Sequence, residues 1–141
     1  MRVYYIFDIK SEFVSLYLNN ANTLFNILKQ IYLMNGEDIQ YGFSLFRQIV
    51  NKIPKEDLDK TLFLKFHRNF CYCKKDGVHI INQLYLDEVS RLEIKRSHIL
   101  LNTNRNYSSF FEILSNYQLN YFVCDFINQD YFWLSQIKTL V

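Results

Sequence analysis

A chain of 141 residues with 50% hydrophobic, 18% aromatic and 21% charged side chains is long enough for one core and too apolar for a disordered segment. Its net charge of +2 is scattered, and "KIPKEDLDK" (Lys52 to Lys60) interleaves both signs, which excludes the clustered basic face of a nucleic-acid binder. No apolar run approaches the ~20 residues of a membrane helix.

The opening "MRVYYIFDIK" reaches Asp8 and Lys10 before any apolar region is long enough for a secretory leader. With three cysteines, an odd number, this predicts reduced thiols in a cytoplasmic chain. The 11 Tyr, 13 Phe and one Trp exceed what one small core needs. An AT-rich coding bias accounts for part of that excess, and the remainder points to surface aromatics of the kind found at protein interfaces.

"VYYIFDI" (Val3 to Ile9) is β-branched and aromatic and predicts a buried strand. "KSEFVSLYLNN" (Lys10 to Asn20) predicts a short helix with Ser11 as its cap, interrupted by "NNAN" at Asn19 to Asn22. In that helix Phe13, Leu16 and Tyr17 make one apolar stripe, and Val14 and Leu18 make another. At about 100° per residue they cover roughly 200° of the circumference, nearly twice what a surface helix buries. Either the helix is sandwiched by its own protein or one stripe faces something else.

The next helix runs from about Thr23 to Met34, with Leu24, Ile27, Leu28 and Ile31 inward and Asn35–Gly36 as its stop. A third, about Glu37 to Asn51, opens with acids suited to its dipole. Its predicted core stripe is Ile39, Phe43, Phe46 and Val50, and Tyr41, Leu45 and Gln48 form a second stripe. Gly42 inside it costs about 1 kcal/mol relative to Ala.

Pro54 and "KEDLDK" suit the first turn of another helix, with Leu58, Leu62 and Phe66 inside, although "TLFLKF" also reads as a strand. Hairpins are predicted at "FCYCKKDGVHII" (Phe70 to Ile81, turning at Asp76–Gly77) and at "RLEIKRSHILLN" (Arg91 to Asn102, turning at Lys95 to Ser97). A helix from about Tyr107 to Tyr117 carries Phe110, Phe111 and Leu114. "YFVCDF" (Tyr121 to Phe126) is a buried strand, and "YFWL" (Tyr131 to Leu134) is a short edge strand or turn. The expected architecture is one α+β domain over residues 1–141, a sandwich whose mixed, mainly antiparallel sheet is flanked by helices.

Few residues suggest chemistry. His67, Cys71, Cys73 and His79 have ligand types suited to zinc, but paired cysteines in structural sites are usually two to four residues apart, and ordinary packing is the alternative. His98 reads as a polar turn residue. Asp8 and Asp125 both close apolar strands, and as neighbours they would offer an acid–base pair. No nucleophile or glycine-rich loop joins them, so neither an enzyme nor a cofactor is expected.

Two segments resemble the sporulation inhibitor of replication (SirA) family. At the N-terminus they are "YYIFDIKSEFVSLYLNNANTLFNILKQ", with a Tyr-Tyr strand followed by Lys-x-Glu-Phe-x-x-x-Tyr. At the C-terminus they are "FFEILSNYQLNYFVCDFINQDYFWL", with Phe-Phe-Glu-x-Leu, a strand ending in Asp-Phe, and Trp-Leu after six intervening residues. The middle, from about Asn51 to Val89, matches poorly, and "WLSQ" stands where the family has "WLNP".

The resemblance implies a non-enzymatic, cytoplasmic, monomeric regulator of Gram-positive bacteria that binds domain I of the replication initiator DnaA and restrains initiation, with no DNA or membrane contact of its own. It implies that Phe13 and Tyr17 face that partner, Val14 and Leu18 face inward, and Leu16 lies at the boundary. It places a neighbouring patch near Tyr41, Leu45 and Gln48. The alternatives are the same fold with another partner, or a small metal-binding protein or enzyme.

Overall fold

The computed structural model describes residues 1–34, 36 and 39–140, the last three of these without their side chains. The predicted Asn35 stop and the acids Glu37 and Asp38 lie outside the described residues. The order of elements is β1 (Arg2–Asp8), α1 (Ser11–Tyr17), α2 (Ala21–Leu33), α3 (Ile39–Ile49), α4 (Lys55–Phe66), β2 (Tyr72–Lys75), β3 (Val78–Gln83), β4 (Glu88–Ile94), β5 (Ile99–Thr103), α5 (Phe110–Tyr117), β6 (Tyr121–Asp125), β7 (Asp130–Trp133) and a 3-10 segment (Leu134–Leu140).

The seven strands form one sheet in the order β2-β3-β4-β5-β1-β6-β7. Every strand pairing in it is antiparallel, so the parallel component of a mixed sheet is absent among the described residues. The physical reason is the connections. β2–β3, β3–β4, β4–β5 and β6–β7 are joined by links too short for a parallel crossover. Asp76 and Gly77, at φ 53° and 79°, make the two-residue turn of the first hairpin, where the twist of the strands requires positive φ at both positions. Lys95 N–H donates to the His98 carbonyl at 2.9 Å and closes the β4–β5 turn.

Alternation along β1 sorts the molecule into layers. Tyr4 and Ile6 point into a core shared with Leu58 and Leu62 of α4 and Phe110, Phe111 and Leu114 of α5. Tyr5 and Phe7 point the other way, into a core shared with Leu24, Phe25 and Leu28 of α2, Ile49 of α3, and the flank of α1. The sheet thus carries α4 and α5 on one face and α1–α3 on the other. β6 lies between both layers, and all five of its residues are buried.

The ambiguous "TLFLKF" is helix, because the i, i+4 pair Leu58 and Leu62 is fully buried while Phe63 and Leu64 face out. "YFWL" supplies the edge strand β7, with Leu134 opening the 3-10 segment. Ser11 does not cap α1. Lys10 occupies that position, and no side chain bonds the helix start.

α3 departs most from expectation. Gly42 and Ile49 are its buried residues, with Leu45 and Phe46 half-buried beside them and Val50 buried just past the helix as the predicted stripe has it, whereas Phe43 is 55% exposed and Ile39 41% exposed. At about 100° per residue the buried line runs roughly 80° from each of the two predicted stripes. The helix is turned so that its smallest residue meets the end of α2. A Cβ at Gly42 would lie 2.8 Å from Met34 Sδ and 3.9 Å from Ile31 Cγ2.

Gly42→Ala is therefore expected to leave stability within about 1 kcal/mol of the parent, the gain in helix propensity offsetting displacement of a flexible Met side chain. Gly42→Val adds branches with no room and should destabilise by about 1–3 kcal/mol. Thermal denaturation of the pair tests that order.

Candidate functional site

The short helix α1 follows β1 at once, and its position is fixed by backbone. Phe13 N–H and Val14 N–H donate to the Lys10 carbonyl at 2.9 and 3.1 Å, which starts the helix. Lys10 N–H in turn donates to the Ile49 carbonyl at 2.9 Å, Asn51 N–H donates to the Asp8 carbonyl at 2.7 Å, and Ile9 bridges Val50. The start of α1 is thereby tied to the end of α3. These two helices, not adjacent in sequence, pack against the same core.

No residue of α1 is buried. Phe13, Val14 and Tyr17 are half-buried against the core on that side of the sheet. The rings of Phe13 and Tyr17, one turn apart, lie 6.5 Å between centroids and 10° from parallel, a stacked pair on the helix flank. Leu16 is 63% exposed, so it lies beyond a boundary position. Leu18, expected to face inward, is 41% exposed because the helix ends at Tyr17 and Asn20 N–H folds back onto the Tyr17 carbonyl at 3.0 Å. On α3, Tyr41 and Gln48 are exposed and Leu45 is half-buried. The structure thus brings α1 and this flank of α3 to the same side of the sheet.

The acid pair fails on register. Asp8 stands opposite Tyr121 at one end of the β1–β6 ladder and Asp125 lies beyond the Tyr5–Cys124 pair at the other, four residues or roughly 13 Å apart. Each carboxylate has a local purpose. Burial pushes the Asp8 carboxyl up, against a long 3.4 Å bond from Asn51 Nδ2. Burial acts on Asp125 too, but bonds from Asn128 and from Arg2 Nε at 3.0 Å outweigh it and hold the group below the usual range.

The zinc set fails on the period of a strand. Cys73 pairs with Ile80 and Lys74 with His79, so His79 shares a face with Tyr72 while Cys73 lies on the opposite face. No cluster of three or more metal-ligating side chains occurs among the described residues. His79 is fully buried and fastens α4 to the hairpin, with Nδ1 2.7 Å from Tyr72 Oη and Nε2 2.7 Å from Asp59 Oδ1. Burial pushes its pKa down despite the Asp59 carboxylate. His67 Nδ1 lies 3.2 and 3.1 Å from the Phe63 and Leu64 carbonyls of its own helix.

His98 follows the β4–β5 turn but is half-buried, its ring 5.5 Å from Tyr5 and 5.9 Å from Phe7. It belongs to a feature that the periodicity of the sequence hid. Because α3 is rotated, Phe43 stands between two open hollows. One, of about 180 Å³, is bounded by Tyr5, Phe7, Tyr32, Phe46 and His98. The other, of about 290 Å³, is bounded by Arg47, Val50, Lys52 and Arg96.

No helix among the described residues is long and apolar enough to cross a membrane. The family model described as sporulation inhibitor of replication protein SirA matches residues 2–138. No curated protein matches the chain.

Proposed function

The chain belongs to the SirA family of sporulation inhibitors of replication, and on that premise we propose that it restrains initiation by binding domain I of the initiator DnaA through α1 and the adjoining flank of α3. The observation that carries the reading is the stacked Phe13–Tyr17 pair on a helix with no buried residue. Two half-buried rings held against a core are rigid, so docking onto them costs little side-chain entropy. Aromatic anchors of this kind dominate interface energetics. Leu16 adds exposed apolar surface beside them, and Tyr41, Leu45 and Gln48 extend the contact onto α3.

The mechanism is occlusion. Domain I recruits partners and self-associates through its surface, and an inhibitor bound there denies that surface to both. An interface of standard size suffices, with no catalytic group, cofactor or DNA contact. The protein would act as a monomer in the cytoplasm.

Calorimetric titration of the full chain against DnaA domain I tests this. Phe13→Ala and Tyr17→Ala should each cost more than about 1 kcal/mol of binding, or about fivefold in Kd. Because both rings are only half-buried, their stability cost should stay well below that of a core aromatic. Unchanged affinity in the double variant overturns the site, and no binding by the parent chain overturns the partner.

A further inference from the structure

We propose that the groove along the Phe43 flank of α3 is a second docking site, taking an acidic peptide segment of a protein partner that presents an apolar anchor. It lies about 160° around α3 from the Tyr41–Gln48 flank, so it goes beyond the initiator-binding reading and does not rest on it.

The floor is apolar and open. Phe43 is 55% and Tyr32 51% exposed, and both border the first hollow, with Phe7 and His98 deeper in. A smaller hollow of about 50 Å³ between Ile31, Ile39 and Phe43 continues the line toward the N-terminal end of α3. Contiguous exposed apolar surface rimmed by polar groups marks interaction sites.

Around the second hollow the described charges are of one sign. Arg47, Lys52 and Arg96 border the second hollow, and no acid does. Arg96 holds Glu56 at 2.6 Å, while Arg47 and Lys52 pair with no carboxylate among the described residues. A ligand seated here meets an aromatic slot and, beside it, two cations that no carboxylate of the described residues pairs. The complement is an aromatic or aliphatic side chain next to Asp or Glu.

The shape selects a peptide over a small molecule. Each hollow is below the 300–1,000 Å³ of pockets that enclose drug-sized ligands. Strung along one helix, they suit a segment laid in a groove with spaced anchors.

The test is selection of displayed random dodecapeptides on the full chain carrying Phe13→Ala and Tyr17→Ala, which removes the anchors of the proposed initiator site. The expected consensus pairs a large apolar residue with adjacent Asp or Glu. The selected peptides, resynthesised, should lose about tenfold or more in affinity to Phe43→Ser and, separately, to Arg47→Glu with Lys52→Glu. The charge variants alter exposed residues, and thermal melts confirm that both proteins fold. Neutral or basic consensus peptides, or affinities indifferent to both sets of substitutions, overturn the proposal. Oligothymidine and decanoate serve as competing occupants, and tighter binding of either than of the best peptide also overturns it.

Discussion

Glu88→Ala should destabilise the protein by about 3–4 kcal/mol, although Glu88 touches neither proposed surface. Its side chain is 1% exposed at the start of β4. The carboxylate accepts from the hydroxyls of Ser90, Ser108 and Ser109 and from the Ser109 N–H at 3.0 Å, with Arg105 Nη1 at 3.9 Å. It therefore caps α5, whose first turn begins just after Ser109 and whose dipole favours a negative charge there. Bonds to a buried charge are worth about 1.5–3 kcal/mol each without being additive, and Ala strands several buried donors at once. With unfolding entropies near 2 cal/mol/K per residue, the loss corresponds to about 10 °C in Tm. Circular dichroism melts of Glu88→Ala and Glu88→Gln against the parent measure it.

The same carboxylate sets part of the acid limb of stability. Burial alone would raise its pKa, yet the bonds from Ser109, Ser90 and Ser108 prevail and hold it below the usual 4.5. Its unfolded form takes up a proton first, so the stability it confers is present above about pH 4.5 and is lost as pH falls through the folded value. Asp59 and Asp125, both held below 3.8, act in the same direction lower down. His79 and His98, pushed below 6.5 chiefly by burial, withdraw stability earlier, as pH drops beneath 6.5. Asp8, raised by burial, opposes them, because its folded form protonates first. The denaturant midpoint should be level from pH 7 to 8, decline below 6.5 and fall more steeply below about 4.5. Glu88→Gln should flatten that last part.

Local sequence chemistry accounts for most of the architecture and less of the surfaces. The Asp76–Gly77 and Lys95–Ser97 turns, the Phe110–Leu114 stripe and the buried β6 each follow from patterns contained within one segment. What escaped depends on where segments meet. Of the predicted stripe Ile39, Phe43, Phe46 and Val50, only Val50 is buried, because packing chose the line through Gly42, where α2 approaches closely. A hydrophobicity pattern rewards large side chains and gives no credit to an absent one, so it turned the helix by roughly a quarter and hid the groove. The Asp8–Asp125 and His79–Cys73 ideas failed on strand direction and register, which single segments do not encode. "LDEVS" gives no sign that Glu88 is buried, because every partner but Ser90 lies about twenty residues later. For α1, the doubled apolar arc left two options, burial on both sides or a stripe facing outward, and no residue of the helix is buried.

Phe111→Ala is expected to have the largest effect on stability of any change considered, about 4–5 kcal/mol. The side chain is fully buried, and its ring meets those of Tyr4, Tyr107 and Phe132 edge-on at 5.6, 5.4 and 5.8 Å. It therefore joins α5 to β1 and β7 in the core under α4 and α5. Truncating a buried Phe costs about 3–5 kcal/mol, and the loss of three edge-to-face contacts places this site near the upper end. Set against a total of about 5–15 kcal/mol, the variant should stay folded at low temperature with a much lowered Tm. Its affinity for DnaA domain I, measured where it is folded, should nevertheless match the parent within about twofold. Phe111 serves the face of the sheet opposite α1–α3, and distant sites without shared partners behave additively. Phe13→Ala with Tyr17→Ala should do the reverse, with a large loss of affinity at a modest cost in Tm. If a folded Phe111→Ala protein bound domain I as weakly as that double variant, the interface would belong to the α4–α5 side.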